Sequence, residues 1–165
     1  MKVKIYGMGW VGRAMKVLFP DALVYDPALG FNDTEVCDVA FVCVPTPNIG
    51  EGKLDTSIVE DVVKNAKEKL LIMRSTVNPG TCDDLHSKYY KHIVMQPEYL
   101  GETVNHPMSD QKNRQFIIIG GTPADRKKVI ELYQTVYNAN TNIRQMSNLE
   151  AEIVKLTENR AIAFK

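Results

Sequence analysis

The sequence is short of several things, and each shortage removes a class of protein. It has three cysteines, Cys37, Cys43 and Cys82, with no metal spacing and no even-numbered framework. A disulfide scaffold and a cysteine-built metal module are both set aside on that ground. His86, His92 and His106 are scattered and form no ligand cluster. Neither charge is in excess: Lys and Arg number 20, and so do Asp and Glu. No electrostatic case for nucleic acid or for an anionic membrane arises. No apolar run is long enough to span a bilayer, and the opening Met1-Lys2-Val3-Lys4 lacks the apolar region of a secretion signal. There is no internal repeat and no low-complexity tract. What remains is a domain of 165 residues with enough chain for a real core, expected in a reducing, cytoplasmic setting.

What is present begins at the N-terminus. A short apolar strand, Val3–Tyr6, runs directly into Gly7-Met8-Gly9-Trp10-Val11-Gly12. A helical pattern follows, with Val11, Met15, Leu18 and Phe19 near one face. A second apolar run, Ala22 to Tyr25, is closed by Asp26. Strand, glycine turn, helix, strand and acid in this order make up the dinucleotide fingerprint. Gly7 permits the tight turn, Gly9 lets backbone approach a pyrophosphate, and Gly12 lets the helix lie close to the strand. The helix N-terminus offers N–H groups to phosphates. Asp26 can accept from a ribose 2′-hydroxyl, which argues for NAD over NADP. Trp10 either shields the phosphate loop or packs.

The rest of the chain alternates strands and helices. A continuous apolar run at Val39–Val44 suits a strand covered on both faces, Leu70–Met73, His92–Met95 and Phe116–Ile119 suit further strands, and Ile143–Gln145 suits a brief one. Helices are expected from Asp55 or Thr56 to about Leu70, from Thr81 to Tyr89, and from the Thr122-Pro123 cap to about Tyr137. Ser147 and Glu150 form a capping box for a last helix, whose apolar positions are Leu149, Ile153, Leu156, Ala161 and Phe164. The expected fold class is α/β: a Rossmann-like doubly wound, mostly parallel sheet with helices on both faces. It is shortened after strand two, because too few residues separate Asp26 from Val39 for a crossover helix and a further strand.

Three successive strand ends deliver polar loops to one sheet edge, at Pro45-Thr46-Pro47-Asn48, Arg74–Thr81 and Gln96–Glu102. That edge is where open α/β sheets bind ligands. Thr76 is placed to set a hydroxyl or a water near a nicotinamide, or simply to hold its own loop. Glu98 and Glu102, four apart, share a face if helical; they suit acid–base work or a solvated loop. Lys155 and Asn159 share the same spacing and suit either an exposed helix surface or the holding of charge on an oxygen. Cys43 reads as core, and Cys37 and Cys82 have no partners to activate a thiolate. Tyr99 and Phe116 read as core.

Several of these stretches together resemble the N-terminal domain of the UDP-glucose/GDP-mannose dehydrogenase family. They are the glycine turn with Trp10 in place of the usual Tyr, Phe41-Val42-Cys43-Val44-Pro45-Thr46-Pro47 with Asp55 after it, and Ser75-Thr76-Val77 with Pro79-Gly80-Thr81. Pro97-Glu98-Tyr99-Leu100 with Glu102, and Ala151-Glu152-Ile153-Val154-Lys155 with Asn159, complete the set. The resemblance implies an NAD-dependent, UDP-glucose 6-dehydrogenase-like enzyme that oxidises a sugar C6 hydroxyl to a carboxylate in two steps.

By resemblance, Thr76 holds the catalytic water, Glu98 lies near the covalent intermediate, and Lys155 with Asn159 stabilises the oxyanion. Cofactor contacts are implied at Gly7, Gly9, Trp10, Val11, Gly12, Asp26, Val44, Pro45, Thr46, Ser75, Thr76 and Glu102. Residues 1–146 correspond to the NAD-binding domain, and 147–165 to the start of the central linking and dimerisation helix. The family's catalytic cysteine belongs to a further domain and matches none of Cys37, Cys43 and Cys82. The chain is therefore expected to be truncated before the substrate domain. It should act on a nucleotide sugar as a homo-oligomer or with a partner that supplies that domain. Gln96 stands where the family prefers Asn, Glu158 departs before Asn159, and the short segment after Asp26 removes part of the adenosine wall. The alternative is a stand-alone NAD-binding protein without dehydrogenase turnover.

Overall fold

Short, wholly apolar strands cannot leave a face to solvent, and here they form the middle of a layered structure. The computed structural model describes residues 1–99, 116–137 and 139–164. In chain order the elements are β1 (Val3–Tyr6), α1 (Trp10–Leu18), β2 (Leu23–Asp26), β3 (Phe31–Asn32), β4 (Val39–Val42), β5 (Asn48–Gly50), β6 (Lys53–Leu54), α2 (Ser57–Asn65), β7 (Leu70–Met73), α3 (Thr81–Tyr89), β8 (His92–Met95), β9 (Phe116–Ile119), α4 (Pro123–Tyr133), β10 (Asn142–Gln145) and α5 (Asn148–Ala163). Six strands form one sheet in the order β3-β2-β1-β4-β7-β8. All its neighbours are parallel except β2 and β3. The chain moves outward to one side from β1 and to the other from β4, so the topological switch point lies between those two strands.

Helices cover both faces. Met15 and Leu18 of α1 pack with Val129, Leu132 and Tyr133 of α4 against Val3, Ile5, Phe41 and Ile72. Val59 and Val63 of α2, Cys82 and Leu85 of α3, and Ala151 of α5 cover the other face. This is the doubly wound α/β arrangement expected. β9 and β10 form a separate parallel pair, and the Gly120 amide donates to the Met95 carbonyl at 2.7 Å, tying that pair to the end of β8.

The shortening after strand two takes a definite form. A single 3-10 turn at Pro27–Leu29 reverses the chain. β3 then runs back antiparallel to β2, with Tyr25 opposite Asn32 and Asp26 opposite Phe31. Asp33 extends the pairing: its amide donates to the Val24 carbonyl at 3.1 Å, and its carboxylate accepts from the Val24 amide at 3.0 Å. A hairpin stands where a crossover helix and a parallel strand would otherwise be.

Two helix ends differ from expectation. α2 stops at Asn65 because Ala66 is extended, freeing the chain to enter β7 in register with β4. α4 stops at Tyr133 because the Thr135 and Val136 amides bond three residues back, tightening the last turn. The larger correction concerns α5. Leu149, Ile153, Ala161 and Phe164 of the expected apolar positions are exposed and Leu156 is half-buried, while Asn148, Ala151 and Glu152 are buried.

Candidate functional site

The glycine turn is forced by backbone contacts. Gly7 has φ of +90°, and a Cβ there would sit 2.6 Å from the Cys43 carbonyl oxygen. A Cβ on Gly12 would sit 1.9 Å from the Gly7 carbonyl oxygen. Over Gly9, by contrast, no atom comes within 4 Å of such a Cβ, so the backbone there faces open space. Gly9 is also the N-cap of α1, with no side-chain cap and no acid in the first turn. The helix therefore presents its first N–H groups at an open, glycine-lined position.

Asp26 reaches this turn. Its Oδ2 accepts from the Met8 amide at 2.7 Å. The acid at the end of β2 and the phosphate-type turn after β1 are thus one constellation. A dinucleotide fits these residues: the cradle over Gly9 is open, and the Asp26 carboxylate is held at the same turn by the Met8 amide. Trp10 is 61% exposed; it does not pack, and Val11 behind it is half-buried.

The next two strand ends are stitched together. The Val42 carbonyl accepts from the Arg74 and Ser75 amides, at 2.9 and 3.1 Å. The Ser75 hydroxyl donates to the Val44 carbonyl at 2.7 Å. Ser75 is buried, so it shapes the edge, while Thr76, Val44 and Thr46 stand half-buried and Pro45 exposed along it. Asn78 makes both amide bonds to the Leu54 backbone, at 3.1 and 2.9 Å. The Asp55 amide donates to the Pro47 carbonyl at 2.8 Å, which holds the β5–β6 hairpin against the same loops.

Glu98 is neither solvated nor on a helix. Residues 96–99 are irregular, and Glu98 is buried in an ion pair with the buried Arg74. Arg74 also donates to the Gln96 and Pro97 carbonyls at 3.3 and 3.5 Å, clamping the segment that carries the acid. The second Glu98 oxygen accepts from the Tyr99 amide at 2.6 Å. The Gln96 side chain accepts from the Tyr133 hydroxyl. Glu102 lies outside the described residues, as do Leu100 and His106.

The polar stripe of α5 faces inward, and this brings Lys155 to the same edge. Asn148 accepts from the Met95 amide at 2.8 Å and donates to the Ile93 carbonyl at 3.0 Å. One turn on, the Glu152 carboxylate accepts from the Gly80 and Cys82 amides at 2.6 and 2.8 Å, capping α3. Burial pushes the Glu152 carboxyl above its ordinary value despite those bonds. One further turn places the Lys155 ammonium 4.9 Å from the centre of the Tyr99 ring, beside Glu98 in the chain. Asn159 follows on the exposed part of the helix. Sequence reasoning missed Arg74, Asn148 and Glu152. The signal for the last two was the period itself, since 148, 152, 155 and 159 recur at helical spacing.

All three cysteines are buried free thiols. Burial pushes the Cys43 thiol up to about 12 and raises Cys37 and Cys82 as well. They stay protonated at neutral pH, which suits packing and not nucleophilic attack. Among the described residues no helix is long and apolar enough to cross a membrane.

Comparison with known proteins gives a consistent result. The family model for the NAD-binding domain of the UDP-glucose/GDP-mannose dehydrogenase family matches residues 30–139. That match starts after Asp26, so the glycine turn stands on its own geometry. The chain is 29% identical over 135 residues to the UDP-N-acetyl-D-mannosamine dehydrogenase of Methanocaldococcus jannaschii, covering 76% of this chain and 31% of that protein. It is 31% identical over 134 residues to the UDP-glucose 6-dehydrogenase of Campylobacter jejuni, covering 76% and 34%. The solved structure of the UDP-N-acetyl-mannosamine dehydrogenase Cap5O from Staphylococcus aureus superposes with a TM-score of 0.77 at 21% identity, covering 96% of this chain and 50% of that one. That likeness shows the fold. The chain spans 31% and 34% of the two curated relatives, about a third of their length.

Proposed function

We propose, because this chain belongs to the UDP-glucose/GDP-mannose dehydrogenase family, that it is the NAD-binding part of a nucleotide-sugar 6-dehydrogenase of the UDP-glucose type. The observation that carries the reading is the Asp26 carboxylate held at a glycine turn whose central glycine faces open space. NAD, when bound, takes up the hydride from the sugar C6. Gly7, Gly9, Trp10, Val11 and Gly12 hold its pyrophosphate, and Asp26 holds a ribose. Val44, Pro45, Thr46, Ser75 and Thr76 line the edge toward the nicotinamide, and the resemblance adds Glu102 to the cofactor contacts.

The chemistry falls, in this reading, to residues of the strand ends and of α5. Lys155 and Asn159 steady negative charge developing on the C6 oxygen, a task suited to an ammonium and an amide. Thr76 positions a water, and Glu98, oriented by Arg74, serves the hydrolytic step. The sugar-nucleotide wall and the nucleophilic thiol come from a further segment or a partner, because the relatives are about three times as long as the matched region. Residues 1–146 form the NAD-binding unit in this reading, and 147–165 begin the linking helix. The unpaired thiols support a reducing, cytoplasmic setting.

Calorimetric titration tests the reading. NAD should bind saturably, and Asp26→Ala should weaken it at least tenfold, since a hydrogen bond to a charged group contributes about 1.5–3 kcal/mol. NAD that fails to saturate the unaltered chain sinks the proposal. A second expectation concerns assembly. Leu149, Ile153, Ile162 and Phe164 on α5 leave apolar surface exposed, which favours self-association through this helix. Light scattering on a size-exclusion column should give at least a dimer, and a monomer at every concentration refutes it.

A further inference from the structure

We propose that Phe31 is the platform on which the adenine of a bound nucleotide stacks, in place of the wall lost with the short β2–β4 connection. The proposal rests on the NAD reading above and adds a residue to it.

Phe31 stands directly opposite Asp26 in the antiparallel β2–β3 pair. Opposed residues of such a pair share a face, with Cβ atoms about 4.5–5.5 Å apart. Asp26 is the acid that would take a ribose hydroxyl. The base hangs from the sugar carbon adjacent to the one bearing the 2′-hydroxyl. A ribose engaged by Asp26 therefore carries its base within reach of the side chain beside that acid. The Phe31 ring is 41% exposed, and Leu29 on the preceding turn is 53% exposed. Two large apolar side chains thus stand uncovered at the one point of the sheet edge where a heterocycle is due.

The platform is fixed before any ligand arrives. The Asp33 bonds to Val24 pin the far side of the hairpin. The Asn32 side-chain amide donates from Nδ2 to the Gly30 carbonyl at 3.3 Å, bracing the turn. Little ordering is then left to offset on binding. Stacking on an aromatic ring is tolerant of base identity, because every base has a π-face. The hypoxanthine analogue of NAD should therefore bind within a few-fold of NAD itself.

The test uses ADP-ribose, which carries the adenosine half without the nicotinamide, on the full chain. Phe31→Ala should weaken its binding about tenfold, within the range found for removing one base-stacking ring. Phe31→Tyr should keep binding within about twofold, while Phe31→Leu, which preserves apolar bulk without a π-face, should weaken it nearly as much as Phe31→Ala does. Proton spectra give a second readout: adenine H2 and H8 should shift upfield on the unaltered chain and on Phe31→Tyr, and not on Phe31→Leu. Equal binding and equal shifts across all four proteins overturn the role of Phe31 while leaving the NAD reading standing. Failure of the unaltered chain to take up ADP-ribose overturns both.

Discussion

Gly12→Ala should destabilise the fold by about 3 kcal/mol or more and abolish NAD binding in the same step. In an ordinary helix this substitution stabilises, by roughly 0.5–1 kcal/mol, because glycine loses more backbone freedom on folding. Here the added carbon would meet the Gly7 carbonyl oxygen at 1.9 Å and its carbon at 2.9 Å. Both are backbone atoms, so no rotamer change relieves the contact. Either α1 lifts from β1, opening the packing of Met15, Leu18 and Phe19 on Val3 and Ile5, or the turn is rebuilt. Overpacking usually costs about 1–3 kcal/mol where side chains can yield; a rigid obstacle belongs at or above the top of that range. The loss is a large part of the roughly 5–15 kcal/mol that holds a domain together. Gly9→Ala separates the two effects. Its added carbon touches nothing within 4 Å, so the urea midpoint should barely move, while the methyl group occupies the pyrophosphate approach and NAD affinity falls. An unchanged midpoint for Gly12→Ala would show that the close approach of helix and strand is not what the turn requires.

What the sequence made legible was local. The glycine turn, the buried strands and the Thr122 and Ser147 caps are each specified within a few residues, and each stands where expected. The shortage of chain after Asp26 was visible as a shortage, but its solution as a hairpin depends on Asp33 finding Val24 across the turn. The orientation of α5 was not legible. Its apolar residues suggested an inward stripe, yet a buried backbone donor needs an acceptor more than a surface needs covering. Asn148 and Glu152 supply acceptors to Met95, Gly80 and Cys82, all distant in sequence. Glu98 shows the same limit: its spacing from Glu102 pointed to a helix face, whereas its surroundings are set by Arg74 from the neighbouring strand end. Pattern reveals what a residue needs, and only the assembled sheet shows which partner meets the need.

The largest stability loss outside the glycine turn should follow Glu68→Ala, at about 3–5 kcal/mol, because it strands a buried charge. Glu68 is 1% exposed, just ahead of β7, and Lys4 on β1 is 3% exposed. One Glu68 oxygen takes the Lys4 ammonium at 3.1 Å and the Cys37 amide at 3.1 Å; the other accepts from the Tyr6 hydroxyl at 2.8 Å. Removing the carboxylate leaves three donors, one of them charged, with no acceptor in its place. If the uncompensated charge is the cause, the double substitution Lys4→Met with Glu68→Gln should lose less than Glu68→Ala alone, which a urea series can measure.

The pH dependence carries a second signature of this cluster. Burial alone would raise the Glu68 carboxyl, but the Cys37 amide, the Tyr6 hydroxyl and Lys4 more than offset it, and the net shift is below the ordinary 4.5. With the folded value below the unfolded one, its contribution is complete above about 4.5 and is lost as pH falls through the folded value. Glu152 runs the other way: its folded value is raised, so it favours the folded state in acid and that share fades as pH rises through the raised value. Below pH 4.5 the unaltered chain should therefore lose stability more steeply than Glu68→Gln, whose amide does not titrate. Parallel acid limbs for the two proteins would mean that Glu68 binds its proton as readily folded as unfolded, and that the buried cluster is held by packing and not by charge.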